Sequence, residues 1–577
     1  MRSLRCVLVC FLIASFSVVC RAQAAAPEKK HNDPLQQFAA DFWAWRARTQ
    51  PFNFDDIPRI ERPGGHRDWS AAAVERQHQE LAAFEARWTA LAPKPGAAIH
   101  DQVDWRLMGS ALARVRWELD VLRRWQRDPV FYVEQTLSAL QDALTAPPPF
   151  DEARSREVLQ RVEDIPGILK DARANLGASR GANRNGPPRP FAEVAIAALA
   201  DVRPRMERVA GSLEPVTKLK PGELRAALTR ATGALEQYRD WLKLQLPSLP
   251  AESAIGREEY VFFLRKVALN PYTPEELLAM ARQEWERAVA FEAYERQRNA
   301  GVPPLKMSAS IEEQIERTRK QEAAVREFLS KRGVLTVPEW LRHYTARAIP
   351  DYLAALEDYG EADDFTGPSR LNEDCVRWEH PPAAQMGYFW AATVRDPRPI
   401  IVHEGVPGHY FQLALGWRHP DPIRRHYYDS GANEGLGFYA EEMMLQAGLF
   451  DDSPHTREII YNFMRLRALR VEVDVKLALG QFSIEQAAEY LQRTVPMDSE
   501  TAHAEARSFA TTPGQAITYQ IGKIQIQKFL ADARIQQGEK FNLRAFHDAL
   551  WLNGNVPIAL QRWEMTGAAD EIEKLDH

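Results

Sequence analysis

Apolar residues recur three and four apart between charged ones over residues 71–91, 101–125, 191–213, 223–246, 274–298 and 311–331. That period puts one apolar stripe on each segment and predicts long amphipathic helices. Thr273-Pro-Glu-Glu opens one of them with an N-cap, a proline at the first helical position and acids in the first turn. Such stripes are buried against one another, so the chain is expected to be mainly α. Pro-rich stretches at 146–150 and 181–190 interrupt the first half, and the second reads as an exposed loop. No repeat of solenoid period is present. The length of 577 residues allows several domains. A large two-lobed helical body is the expected arrangement, with a helical N-terminal lobe at 25–255 and a second lobe at 256–577.

The first residues read as a secretory signal peptide over 1–24. Arg2 and Arg5 form a positive start, residues 6–19 are apolar, and Ala22-Gln-Ala24 is an A-x-A cleavage site. The apolar stretch is too short to span a bilayer, and no later segment does better. Cys20 follows Ser17-Val-Val19, a poor lipoprotein box. Three of the 4 cysteines fall in this segment, which leaves Cys375 with no intramolecular disulfide partner. The mature chain is therefore expected to be periplasmic or extracellular, with its stability in its core. Removing Arg2, Arg5 and Arg21 from the 73 basic residues leaves 70 against 79 acids, a net charge of −9. No basic run or zinc-finger cysteine pair points to nucleic acid. Arg123-Arg124 and Arg424-Arg425 read as solvated faces.

Chemistry concentrates at His403-Glu404-Gly-Val-Pro-Gly-His409, followed by Asn433-Glu434-Gly435. Two imidazoles and two carboxylates are what a zinc hydrolase needs for three ligands, a general base and an open position. The common signature H-E-x-x-H sets its histidines four apart, about 400° of helix, on one face. A spacing of six is about 600° and about 9 Å of rise, so an unbroken helix cannot aim His403 and His409 at one ion. Pro407 has no N–H to return to the carbonyl of His403, and Gly408 tolerates angles that other residues do not. The Pro-Gly insert thus predicts a break or bulge that swings His409 back.

Residues 438–449 read as an amphipathic helix beginning near Glu434. Glu434 is a candidate third ligand. Glu441, two turns on, shares its face and could orient a ligating histidine from behind. Glu442 reads as solvated. Residues 385–394, Gln-Met-Gly-Tyr-Phe-Trp-Ala-Ala-Thr-Val, are aromatic and β-branched and read as a short strand. A small β-sheet is therefore expected beside the metal site, with this strand as an edge that could hold a substrate backbone.

His403-Glu404 with Asn433-Glu434-Gly435 and Glu441 resembles the gluzincin arrangement of zinc peptidases. The lengthened H-E-x-x-P-G-H resembles the bacterial family called domain of unknown function 885, mostly helical predicted metallopeptidases. Gly256-Arg-Glu-Glu-Tyr260 with Thr273-Pro-Glu-Glu-Leu277, the stretch from Arg467 to Asp474, and Pro513-Gly-Gln-Ala-Ile-Thr-Tyr519-Gln-Ile-Gly522 are similar to further stretches of that family. The resemblance covers roughly residues 30–570. It departs after Asp474, where relatives often carry a histidine and this chain has Lys476-Leu-Ala-Leu479. The resemblance implies that His403, His409 and Glu434 hold Zn2+ and that Glu404 is the general base. A second donor to the developing oxyanion is needed, and Tyr519 is the candidate. Arg507 and Lys523 flank that segment; either could hold a substrate carboxylate, although Lys523 reads rather as solvated.

The expected function is a secreted zinc-dependent peptidase acting on short peptides, with water as nucleophile. Two other readings stay open. One is a zinc-dependent hydrolase of a non-peptide amide or ester, and the other is a catalytically inactive helical binding protein. An intact Glu404 beside the ligands speaks against the last.

Overall fold

The computed structural model describes residues 33–53, 60–62, 67–178, 186–495 and 497–576. The signal segment 1–24 with Cys20, and residues 181–185 of the Pro-rich loop, lie outside the described residues.

The chain is mainly α. Ala71–Ala90, Glu223–Gln245, Pro274–Arg298 and Ile311–Arg332 are helices over nearly the spans that their apolar spacing predicts. Thr273 caps its helix with a reciprocal pair of bonds, its hydroxyl to Glu276 N and the Glu276 carboxylate to Thr273 N. Two predicted helices are broken. The run at 101–125 is α-helical over Ile99–Arg116, makes a π turn at Trp117–Leu122 and ends where Arg123 turns left-handed at φ 49°. The run at 191–213 is two helices, Arg189–Ala198 and Val202–Leu213. Pro204 sits in the first turn of the second, where its missing N–H does not matter.

The largest apolar cluster joins the first-half helices to Leu353, Trp378, Ile423, Val556 and Trp563 from the second half. Charged groups are buried with their partners at the same boundary. Arg424, expected to be solvated, is buried with Asp104 at 3.0 Å and Glu564 at 2.8 Å. Arg124, within the first half, is half-buried and paired with Asp128 and Glu134, each at 2.7 Å. Both corrections have one cause: runs of arginine mark a solvated face only where no acid meets them across the packing. No helix among the described residues is long and apolar enough to cross a membrane.

A three-stranded sheet stands beside the metal motif. β1 (Tyr344–Ala348) pairs in parallel with β3 (Cys375–Glu379), Tyr344 opposite Cys375, and β2 (Asp363–Asp364) pairs antiparallel on the other side of β3. The Tyr344 ring lies so close to Gly405 that a Cβ there would come within 2.8 Å of it. The expected strand at 385–394 does not exist. That stretch is mostly the helix Tyr388–Arg395, started by a bond from Tyr388 N to the Asp498 carboxylate at 3.0 Å. Short apolar runs carry no decisive period, and packing decides here. Tyr388 and Phe389 both set their rings 5.7 Å from Phe463 on the helix Pro454–Ala478. The sheet edges are therefore β1 and β2.

One buried carboxylate ties three distant stretches together. Asp474 accepts from the Tyr260 hydroxyl at 2.9 Å, from Gly514 N at 2.9 Å and from Ala516 N at 2.8 Å. It thereby anchors the turn that leads into the helix Thr518–Gln537. Gly514 has φ 91°, and a Cβ on it would overlap the Phe263 ring.

Candidate metal centre and active site

The motif is broken where its sequence requires. A π turn at Ile401–Gly405 ends in non-helical residues 406–408, and a new helix, His409–Trp417, starts at the second histidine. Trp551 donates its indole N–H to the Pro407 carbonyl at 2.7 Å inside the core. A Cβ on Gly408 would lie 1.8 Å from the His403 carbonyl oxygen, so no other residue fits there. The break brings the imidazole centroids of His403 and His409 to 4.7 Å.

The helix Ser430–Ala447 supplies the third group. Asp429 caps it, accepting from Ala432 N at 2.8 Å. Asn433 donates to Gln412 at 2.8 Å and Gln412 to the Ala432 carbonyl at 3.2 Å, which locks this helix to His409–Trp417. Glu434 Oε2 then stands 3.1 Å from His409 Nε2 and 3.4 Å from His403 Nε2. One donor atom from each of His403, His409 and Glu434 lies within 4.8 Å of the others, all buried. Glu404 Oε2 is 4.0 Å from His409 Nε2, and its side chain keeps 21% of its exposure. Gly437, one turn beyond Glu434, makes the room: a Cβ on it would come within 2.9 Å of His409 and 3.2 Å of His403. Phe365, just after β2, sets its ring edge-on to His409 at 6.4 Å.

Burial acts against charge at His403 and Glu434, and their partners oppose it. Burial pulls the His403 imidazole down, but Glu434 and Glu441 outweigh it and push it up to about 9. Burial likewise opposes the ionised form of Glu434, and the two histidines hold its carboxyl well below the usual carboxylate range. Glu441 Oε1 lies 2.8 Å from His403 Nδ1, and Arg467 Nη2 lies 3.3 Å from the same oxygen. The His403 contact is close but not aligned as a hydrogen bond, and both histidines leave Nδ1 without one. Two imidazoles with Nε2 turned inward and one carboxylate form a donor set that suits zinc. A second grouping, His100, Asp104 and Asp421, already contains a cation. The Arg424 guanidinium is 2.9 Å from His100 Nδ1 and 3.0 Å from Asp104.

The sequence model described as "Bacterial protein of unknown function (DUF885)" matches residues 62–565. The chain belongs to this family. Two solved structures share its fold. A candidate lipoprotein of unknown function from Shewanella oneidensis superposes at TM-score 0.67 with 17% identity, over 92% of this chain and 98% of that one. A candidate lipoprotein from Colwellia psychrerythraea superposes at TM-score 0.71 with 17% identity, over 94% of this chain and 99% of that one. No curated protein sequence matches the chain.

In this DUF885 chain the remaining candidates separate clearly. Glu441 stands behind His403, as its helical spacing predicts. Tyr519, half-buried, stacks its ring on His403 at 6.2 Å and 14°. Arg507 is half-buried; its guanidinium makes no ion pair or hydrogen bond among the described residues, and its carbonyl accepts from the Thr511 hydroxyl at 3.3 Å. Lys523 corrects the expectation of a solvated or substrate-binding lysine. It is 0% exposed, with Glu284 at 3.0 Å and Glu442 at 2.8 Å. Glu442, expected to be solvated, is buried in the same cluster and also meets Arg287 at 3.0 Å. The crossing of Ser430–Ala447 with Thr518–Gln537 explains both, because it places the two residues inside rather than on the surface.

Sequence reasoning passed over Arg467 and Arg470. They lie one turn apart on Pro454–Ala478, one reaching Glu441 and the other Tyr519. Their signal is an i, i+3 pair of arginines on a stretch otherwise rich in buried apolar residues, where a cation needs a specific partner.

Proposed function

We propose that this protein is an exported zinc-dependent peptidase that hydrolyses short peptides. The convergence of His403, His409 and Glu434, with Glu404 beside them, carries this reading. Charge supports it. Glu404, Glu434 and Glu441 set three carboxylates around the two imidazoles, a setting that favours a cation, and the Arg467 guanidinium pairs with Glu441 alone of the three.

A zinc ion held there would lower the pKa of water and polarise the scissile carbonyl. The chain supplies the rest. Glu404, partly exposed at the rim, takes the proton of the attacking water and passes it to the leaving nitrogen. Tyr519, whose ring lies on His403, donates to the developing oxyanion without carrying charge itself. Glu441, charged through Arg467, fixes the His403 ring so that Nε2 faces inward. The three ligands are buried and Glu404 keeps 21% of its exposure, a narrow access that favours short, unstructured peptides. Export rests on the N-terminal run of residues 1–24 and agrees with the description of both solved neighbours as candidate lipoproteins.

The test is digestion of a mixed peptide library by the zinc-loaded protein beside Glu404→Gln, read by mass spectrometry. Wild-type cleavage that the variant loses supports the peptidase. Bound zinc without peptide cleavage moves the substrate to a non-peptide amide or ester, and absence of zinc binding points to a binding protein.

A further inference from the structure

Two arginines on one helix divide the support of this site between them. Arg467 serves the ligand side, through Glu441. Arg470 pairs with Glu505 rather than with a ligand or Glu441, and acts on Glu434 only through its charge. Its guanidinium carbon stands 4.6 Å from the centroid of the Tyr519 ring, nearer than that of Arg467 at 5.8 Å. Arg470 is buried, 6% exposed. Glu505 takes it in a two-point bond, Nε to Oε2 at 3.0 Å and Nη2 to Oε1. Phe389 and Phe509 close around it at 5.6 and 5.7 Å.

A guanidinium fixed by a carboxylate fork has few orientations left, and a ring lying against it inherits that rigidity. The attraction of a desolvated cation for a phenol face favours one ring position over another. Tyr519 therefore lies against the Arg470 guanidinium at 4.6 Å and the His403 imidazole at 6.2 Å, with the Arg467 guanidinium, itself paired to Glu441, at 5.8 Å.

We propose that Arg470 is a positioning residue for Tyr519: held by Glu505, it fixes the phenol ring against His403 and so aims the hydroxyl at the reacting carbonyl. The proposal rests on the peptidase reading for the use of that hydroxyl, but not for the position of the ring.

The experiment therefore has two arms on the full chain. In the first, kcat and KM are measured for wild type, Arg470→Met, Tyr519→Phe and the double variant, on one cleaved peptide as free acid and as amide. Loss of an oxyanion donor costs about 100-fold or more in kcat. Tyr519→Phe should fall by that order, and Arg470→Met by about 10-fold or more, with KM nearly unchanged for both peptides. The double variant should be no worse than Tyr519→Phe within about threefold, because the two residues act as one unit. Multiplying losses would overturn the proposal. So would a rise in KM confined to the free acid, which would make Arg470 a binder of the substrate carboxylate.

The second arm is independent of activity. 3-Fluorotyrosine at position 519 reports the ring by 19F NMR, and Arg470→Met should shift and broaden its resonance. An unchanged resonance overturns the proposal even if no peptide is ever cleaved. Arg470→Met alone strands the Glu505 charge, so Arg470→Met with Glu505→Gln is the folded control. It should show the same kcat loss and the same 19F change, and wild-type behaviour in it would also overturn the proposal.

Discussion

Gly435 and Gly522 meet where the helices Ser430–Ala447 and Thr518–Gln537 cross, so closely that a Cβ on Gly435 would lie 2.5 Å from the Gly522 Cα. Each is tied to a functional residue: Gly435 follows Glu434, and Gly522 is one turn beyond Tyr519. Alanine at either position must push two backbones apart. Overpacking of this kind costs about 1–3 kcal/mol. Gly435→Ala is expected to lower the melting temperature by a few degrees and to reduce peptide hydrolysis far more, since Glu434 and Tyr519 separate. A variant with wild-type activity would show that the crossing does not position the site.

Gly437→Ala separates the fold from the metal. In the interior of a helix alanine is favoured over glycine by about 1 kcal/mol. The added methyl, however, comes within 2.9 Å of His409 and 3.2 Å of His403. The helical gain and the crowding oppose each other, so the metal-free variant should melt within a few degrees of wild type, while zinc affinity measured by calorimetry falls about 10- to 100-fold, the range seen when the support of a ligand is disturbed. Equal zinc affinity would place the ion elsewhere.

Lys523 stands among Glu284, Glu442 and Arg287 with no contact to solvent. Removing one partner of a buried ion pair costs about 3–5 kcal/mol, because the other charge stays behind. Lys523→Met should lower the denaturation midpoint markedly. Adding Glu442→Gln should restore part of the loss, a coupling that a double-mutant cycle reads directly. Additive losses would mean that the two charges do not act on each other.

Asp474 makes a prediction with a definite sign. Burial pushes its carboxyl up to about 6 against the bonds from Gly514, Tyr260 and Ala516. The folded value lies above the unfolded one near 3.8. Its contribution to stability is therefore complete below about pH 4 and is lost as pH rises through about 6, in total roughly 3 kcal/mol. Asp474→Asn should be most harmful near pH 4 and progressively less so towards pH 7, as measured by denaturant unfolding. A wild-type-to-variant difference that stays constant across that range would contradict the assignment.

Much of this was legible in the sequence because period and spacing are local properties. The long helices followed from apolar residues three and four apart, and the break at Pro407-Gly408 from the impossibility of a six-residue spacing on one face. Glu441 was legible for the same reason, lying two turns from Glu434. What could not be read depended on partners distant in the chain. Residues 385–394 look like a strand by composition, but Phe463 and Asp498 make most of that stretch a helix. Lys523 and Glu442 look like surface charges until the helix crossing encloses them. Arg467 and Arg470 were simply two more arginines, because nothing local connects them to Glu441 and Tyr519.

The carboxylate of Asp474 joins Tyr260, 214 residues away, to Gly514 and Ala516, 40 and 42 residues away. These segments therefore form one mechanical joint, although they are scattered along the gene. A chimera that exchanged any one of them with a distant relative would bring a foreign surface to a fitted socket. Recombination between members of this family should succeed where its breakpoints leave all three parts of the joint from the same parent, and fail where they divide it.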